Sequence, residues 1–274
     1  MSGGREGRPG PGGRSGVDGK RVLVTGGSRG LGEQIVRLLA AGGARLATCA
    51  RTPEHLRSLT ASLRAEGYGE HGEPFTRALD VTEPESLERF VDAAAERFSG
   101  LDGVVACAGG ARGRGIEDAG PQDWSLTWEM NVGHTARLVK AAVPHLRRAG
   151  GGSVVVIASI SGWKPGPQAQ YGAAKAAQIH LAASLARELG PDGIRVNAVS
   201  PGSMLIPGKR WDRMRTEEPE AYARFTAELP RGELVTPREV AQVVAFLLSD
   251  ASSGVSGAHL PVDRAQNAPT PGGY

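Results

Sequence analysis

Tyr171 and Lys175 stand four residues apart in Tyr171-Gly172-Ala173-Ala174-Lys175, a spacing that sets both side chains on one face of a helix. A phenol and an ammonium so placed can pass a proton to or from a substrate oxygen. A free tyrosine has a pKa near 10, so acting as acid and base at neutrality needs a drop of about three units, roughly 4 kcal/mol. A lysine ammonium at about 5 Å supplies roughly 3 kcal/mol at an effective dielectric of 20. The magnitudes allow the pair to work, and a lowered Tyr171 pKa is the expectation. Ser159, twelve residues upstream of Tyr171, closes an apolar run where its hydroxyl could hold the same oxygen. Taken singly, each has a plainer reading: an interfacial tyrosine, a surface lysine, a helix-capping serine.

A second group of residues points to a phosphate-bearing ligand. Thr25-Gly26-Gly27-Ser28-Arg29-Gly30-Leu31-Gly32 joins an apolar β-type run to a helical one. Gly26, Gly30 and Gly32 let the backbone turn tightly and approach a pyrophosphate at the helix N-terminus, where free N–H groups favour anions. Gly26, Ser28 and Gly30 also spell a nucleophile elbow. His259 and Asp250 or Asp263 could complete a hydrolase triad, but that reading leaves Tyr171 and Lys175 without a purpose. An elbow also normally has several strands before it. A site that prefers NAD carries an acid at the end of the second strand. Here Thr48-Cys49-Ala50-Arg51-Thr52 has none. Arg51 and Arg29 stand ready for a 2′-phosphate instead, each contact worth about 1.5–3 kcal/mol. NADP(H) is the expected cofactor, against the blander reading of two solvated arginines.

The elements that position these groups follow from pattern. Short β-rich runs at 21–25, 44–50, 74–79, 103–107, 153–158, 195–200 and 258–262 alternate with helical stretches, among them 53–66, 83–98, 124–149 and 171–189. The runs are continuously apolar, as in strands buried on both faces, and β-then-α order with short links gives a doubly wound parallel sheet of α/β class. The long stretch 202–231 reads as irregular and, lying after the sixth strand, as a substrate lid.

Composition narrows the class further. The 274 residues are 40% hydrophobic and 22% charged, ordinary for a globular chain. The net charge of +3 owes much to Arg5, Arg8, Arg14, Lys20 and Arg21, among glycines and prolines. Residues 1–17 are expected to be a disordered arm; without interleaved aromatics they make no case for nucleic acid. No apolar leader or spanning segment is read, so neither export nor a membrane is expected. Two cysteines and six histidines form no disulfide framework and no metal spacing, and the expected site is cytoplasmic.

In combination, the glycine turn, Ala106-Cys107-Ala108-Gly109, Asn131, Ser159, Tyr171 with Lys175, and Ser200-Pro201-Gly202 resemble the short-chain dehydrogenase/reductase family in order and spacing, from about Lys20 to Asp263. The resemblance implies one Rossmann domain, residues 18–264, whose seven-stranded parallel sheet has helices on both faces. It implies that Asn131 holds a water in a proton relay and that Ser159 orients the carbonyl. Tyr171 would donate the proton, while Lys175 binds the nicotinamide ribose and lowers the tyrosine pKa. Ser28 and Leu31 of the turn, with Ala108 and Gly109, would meet the cofactor; Asp80 and Val81 would meet its adenine, and Pro201 and Gly202 would flank the nicotinamide. A homotetramer or homodimer is implied.

The chain departs from the family at three points. Asn-Asn-Ala-Gly reads Ala106-Cys107-Ala108-Gly109, which loses a side chain bracing the central strand. The Ser159-to-Tyr171 interval is one residue short. Val262-Asp263-Arg264-Ala265 replaces the usual glycine pair, ahead of a tail at 265–274. The expected activity interconverts a ketone and a secondary alcohol. A dehydratase, an epimerase or a cofactor-sensing protein on the same fold is disfavoured by the retained tyrosine and lysine. Trp163, Trp211 and residues 204–206 suggest a partly apolar pocket. Lys209, Arg210, Arg213 and Arg215 either meet an anionic substrate or, the favoured reading, face water.

Overall fold

The computed structural model describes residues 16–68 and 72–266. Seven strands form one sheet in the order β3-β2-β1-β4-β5-β6-β7. They are β1 (Arg21–Thr25), β2 (Arg45–Ala50), β3 (Phe75–Ala78), β4 (Gly103–Ala106), β5 (Gly152–Ile157), β6 (Ile194–Pro201) and β7 (His259–Val262). Every pairing is parallel. The chain starts at the centre, winds outward to β3, then crosses back to β4, so the order reverses between β1 and β4. Such a switch point leaves a crevice beyond the carboxyl ends of the strands.

Alternate residues of each strand feed two cores. Leu23, Val104, Val154, Val156 and Val196 face α3 (Pro84–Phe98), α5 (His134–Arg148) and α6 (Ala169–Leu189). Val22, Val24, Val105, Val155 and Val199 face α1 (Gly30–Ala41), α2 (Pro53–Ala65) and α9 (Pro237–Leu248). Period-two alternation with apolar groups on both sides is why these runs read as continuous rather than amphipathic. The helices show the complementary period: Leu87, Phe90, Val91, Ala94 and Phe98 form the buried stripe of α3. Pro237 opens α9 behind a reciprocal cap, in which the Thr236 hydroxyl accepts from the Glu239 amide and the Glu239 carboxylate accepts from the Thr236 amide.

Three expectations are corrected. The helix expected over 124–149 is two helices, α4 (Pro121–Trp128) and α5, joined by a π-helical turn at Glu129–Gly133 that holds Asn131. Periodicity does not report one inserted residue, and such turns gather at functional sites. The stretch 202–231 is not irregular, for it contains α7 (Arg210–Glu217) and α8 (Pro219–Ala227). These helices bury no residue fully. Trp211 stacked on Phe225, with ring centroids 4.0 Å apart and planes 12° apart, joins them. Of the arm expected over 1–17, residues 1–15 lie outside the described residues, while Val17 is buried in the second core.

The tail expected at 265–274 lies outside the described residues beyond Gln266, whose amide oxygen accepts from the Ser203 amide at 2.8 Å. Arg264 and Ala265 adopt left-handed backbone, with φ of 52° and 64°, where the family carries glycines. Arg264 is held there by ion pairs to Glu233 and Glu239.

Candidate active site

Beyond the strand ends lies a cleft of about 1300 Å³. It is lined by Gly26, Ser28, Arg29, Leu31 and Gly32 of the glycine turn, by Arg51 after β2, and by Asp80 and Val81 after β3. Ala108 and Gly109 after β4, Ser159 after β5, Tyr171 and Lys175 of α6, and Pro201 and Gly202 at the end of β6 complete it. Residues from the connections that follow all six strands β1 to β6 therefore line one cleft. Gly30 and Asn131 are not part of this lining. Gly30 shapes the turn, and Asn131 is fully buried behind the cleft wall.

The glycine turn fits a phosphate ligand. Gly26 holds φ of +74° against Ala108, and a side chain on Gly32 would collide with the carbonyl oxygen of Gly26. The N-terminus of α1 thus stays bare of side chains where its free N–H groups point. Thr25 locks the turn to β4: its hydroxyl accepts from the amides of Cys107 at 3.0 Å and Ala108 at 3.2 Å. The hydrolase triad does not form, because His259 is bonded to the Ser200 hydroxyl at 2.8 Å. The cleft is thus open, phosphate-compatible and large enough for a dinucleotide with a substrate beside it.

At the end beside the glycine turn Arg29 and Arg51 are both exposed, and His55, which pattern reading missed, stands with them. The carboxyl of Asp80 is held below its ordinary range. Partial burial pushes it up, but the amide and hydroxyl of Thr82, at 2.9 and 2.8 Å, and the charges of Arg51 and Arg112 outweigh that.

At the other end, Lys175 is almost wholly buried. Its Nζ donates to the Ile157 carbonyl at 2.9 Å and to Gln178 Oε1 at 2.8 Å, and lies 5.5 Å from the centroid of the Tyr171 ring. Burial lowers its pKa to about 8. The expected lowering of Tyr171 is corrected: burial raises its pKa, and a hydrogen bond with Ser159 only partly draws it back. Removing a phenolate from water costs more here than the Ser159 hydroxyl returns. Ser159 in turn accepts from the Ser161 amide at 3.1 Å, which fixes its side chain at the start of a short turn.

Asn131 is clamped through every polar atom of its side chain. Nδ2 donates to the carbonyls of Gly110 at 2.7 Å and Thr127 at 2.6 Å, and Oδ1 accepts from the Gly110 amide at 3.3 Å. It therefore ties the loop after β4 to the π-helical turn.

A residue that pattern reading passed over ties α5 to the end of β1. His134, fully buried, bonds Met130 O through Nδ1 at 2.9 Å and the Thr25 hydroxyl through Nε2 at 3.1 Å. A carbonyl only accepts, so Nδ1 carries the proton and Nε2 accepts from Thr25. Burial lowers the pKa of His134 to about 4. Its neutral form is thus the folded form, and stability falls as pH drops from 6.5 towards 4, where only the unfolded chain takes up the proton. The loss over that window is on the order of 3 kcal/mol. Denaturant melts at pH 7.5 and pH 5 are expected to show a steeper decline in the parent than in His134→Leu. Parallel declines in the two proteins would remove His134 from this role.

Both cysteines are free, and burial pushes each thiol up to about 12. Among the described residues no cluster of three or more His, Cys, Asp or Glu could hold a metal ion, and no helix is long and apolar enough to cross a membrane.

Comparison with known proteins agrees with this architecture. The family model described as enoyl-(acyl carrier protein) reductase matches residues 26–264. The isoepoxydon dehydrogenase of Penicillium expansum is 35% identical, over 91% of this chain and 95% of its own. The 3-oxoacyl-(acyl-carrier-protein) reductase of Escherichia coli is 34% identical, over 90% of this chain and 96% of its own. The structure of L-sorbose reductase from Gluconobacter frateurii, complexed with NADPH and L-sorbose, is similar with a TM-score of 0.86 at 30% identity, covering 94% of this chain and 100% of that one. With the switch-point cleft, the glycine turn and the serine, tyrosine and lysine converging in it, these similarities settle the family: the chain belongs to the short-chain dehydrogenases/reductases.

Proposed function

We propose that the protein is an NADPH-dependent reductase that interconverts a ketone and a secondary alcohol. The observation that carries this reading is one cleft with a Ser159-bonded phenol beside Lys175 at one end and two exposed arginines, Arg29 and Arg51, at the other. The turn from Gly26 to Gly32 would hold the pyrophosphate, Arg29 and Arg51 the 2′-phosphate, Asp80 and Val81 the adenine. Ala108, Gly109, Pro201 and Gly202 would border the nicotinamide. Bound NADPH supplies a hydride equivalent to the carbonyl carbon.

The chain's own residues do the rest. Ser159 orients the carbonyl oxygen, and Tyr171 gives that oxygen its proton. A phenol raised by burial stays protonated through neutral pH, which suits an acid and hence the reductive direction. The ammonium of Lys175 uses two of its three donors on Ile157 and Gln178, leaving one for the cofactor ribose. Residues 202–231 serve as a substrate lid, with Met204, Ile206, Lys209 and Trp211 reaching the cleft. We read the protein as cytoplasmic and as a homodimer or homotetramer; the exposed Trp124, Leu126 and Trp128 of α4 support association.

The test is NADPH oxidation followed at 340 nm against a panel of ketones, with NADH in parallel. Following the names of the relatives, the panel includes 3-oxoacyl thioesters and L-sorbose beside simple ketones. Ketone-dependent oxidation is expected, at a higher kcat/KM with NADPH. NADPH binding without turnover of any ketone or alcohol would overturn the reading.

A further inference from the structure

Gln178 lies one turn beyond Lys175 on α6, fully buried, and every polar atom of its side chain is engaged. Its Oε1 accepts from Lys175 Nζ at 2.8 Å. Its Nε2 donates to the Asn131 carbonyl at 3.1 Å and to the Thr135 hydroxyl at 2.9 Å. Thr135 in turn donates to the same Asn131 carbonyl at 2.6 Å. Reversing the amide would set N–H groups against an ammonium and an acceptor against a carbonyl, so the partners fix its orientation.

We propose that Gln178 is a positioning residue for the reaction: its amide oxygen holds the Lys175 ammonium beside Tyr171, and its amide nitrogen, locked to Asn131 and Thr135, fixes where that oxygen points. The proposal concerns the site read above as a reductase centre and rests on that reading for its catalytic consequence. The Asn131 carbonyl thus accepts from both Gln178 Nε2 and the Thr135 hydroxyl, which anchors the amide at its far end.

The titratable groups that face Lys175 are Tyr171 on its own helix, Cys107 after β4 and His134 on α5. Burial keeps all three neutral at pH 7: it pushes the phenol up, the thiol up to about 12 and the imidazole down to about 4. The ammonium is thus sustained by two neutral oxygens, Ile157 O and Gln178 Oε1, against its own desolvation. Taking one oxygen away destabilises the ammonium, and giving it a negative charge stabilises it.

The test follows the Lys175 Cε resonance through a pH titration of lysine-labelled protein without cofactor, assigned with Lys175→Arg. Gln178→Leu is expected to titrate about one unit below the parent and Gln178→Glu about one unit above it. With the parent near 8, a one-unit fall cuts the ammonium fraction at pH 8 roughly fivefold, and kcat for ketone reduction should follow. Loss of packing alone would lower kcat in both variants without moving the titration in opposite directions. Two titrations that coincide with the parent, or that move the same way, overturn the proposal. Circular dichroism checks folding; where the leucine variant does not fold, the upward shift in the glutamate variant decides alone. Opposed shifts in a protein that reduces no ketone would uphold the role of Gln178 at Lys175 and overturn the reductase reading instead.

Discussion

Tyr171→Phe is expected to lower kcat for ketone reduction by about a thousandfold while leaving NADPH binding nearly unchanged. The substitution removes one oxygen and keeps the ring that sits 5.5 Å from the Lys175 ammonium. Ser159 loses a partner but still accepts from the Ser161 amide, so the loop after β5 should hold its shape. What disappears is the phenolic proton that the structure brings beside the Ser159 hydroxyl. Water can replace it only by entering a desolvated position, which is why the loss should be large. The check pairs 340 nm kinetics with NADPH fluorescence titration and a melting curve. A variant that keeps kcat within tenfold of the parent would mean that another group delivers the proton.

The second large effect concerns cofactor choice. Arg51→Asp should lower the NADPH-to-NADH ratio of kcat/KM by about a hundredfold. Each charge-assisted contact to a 2′-phosphate is worth about 1.5–3 kcal/mol, and tenfold in affinity corresponds to 1.4 kcal/mol. The change removes one such contact and sets a repelling carboxylate in its place, while that carboxylate can accept from the free 2′-hydroxyl of NADH. Arg29 remains, so some preference for the phosphate should survive. Because Arg51 is exposed, the fold should not respond. Asp80 will respond: losing the favourable charge of Arg51 should let its carboxyl rise. Initial rates with both cofactors decide the matter, and an unchanged ratio would show that this corner does not read the phosphate.

How far the chain alone revealed the site differs from residue to residue. Tyr171, Lys175, Ser159 and the glycine turn were legible because each belongs to a short run with fixed spacing, and because a strand or helix end places such a run without outside help. The strands were legible because alternate residues feed two cores, which leaves no polar face to confuse the pattern. The helices within 202–231 were not: α7 is strongly charged, and Trp211 meets its partner Phe225 only fourteen residues further along. The Tyr171 pKa, raised by burial, escapes the sequence for a similar reason. Spacing gives the distance to a charge but says nothing about how much water is left around either group.

Local order along the chain thus determined the sheet, its parallel winding, the crevice at its switch point and the residues that can do chemistry there. Those features rest on interactions within a few residues and on hydrophobic period. Tertiary structure alone decided what each buried polar group is paired with. His134 reaches Thr25 across 109 positions, and Gln178 reaches Asn131 across 47. A buried donor or acceptor must find a partner wherever the fold brings one, because leaving it unpaired costs about 1–3 kcal/mol. That demand acts through space and leaves no period in the sequence to be read.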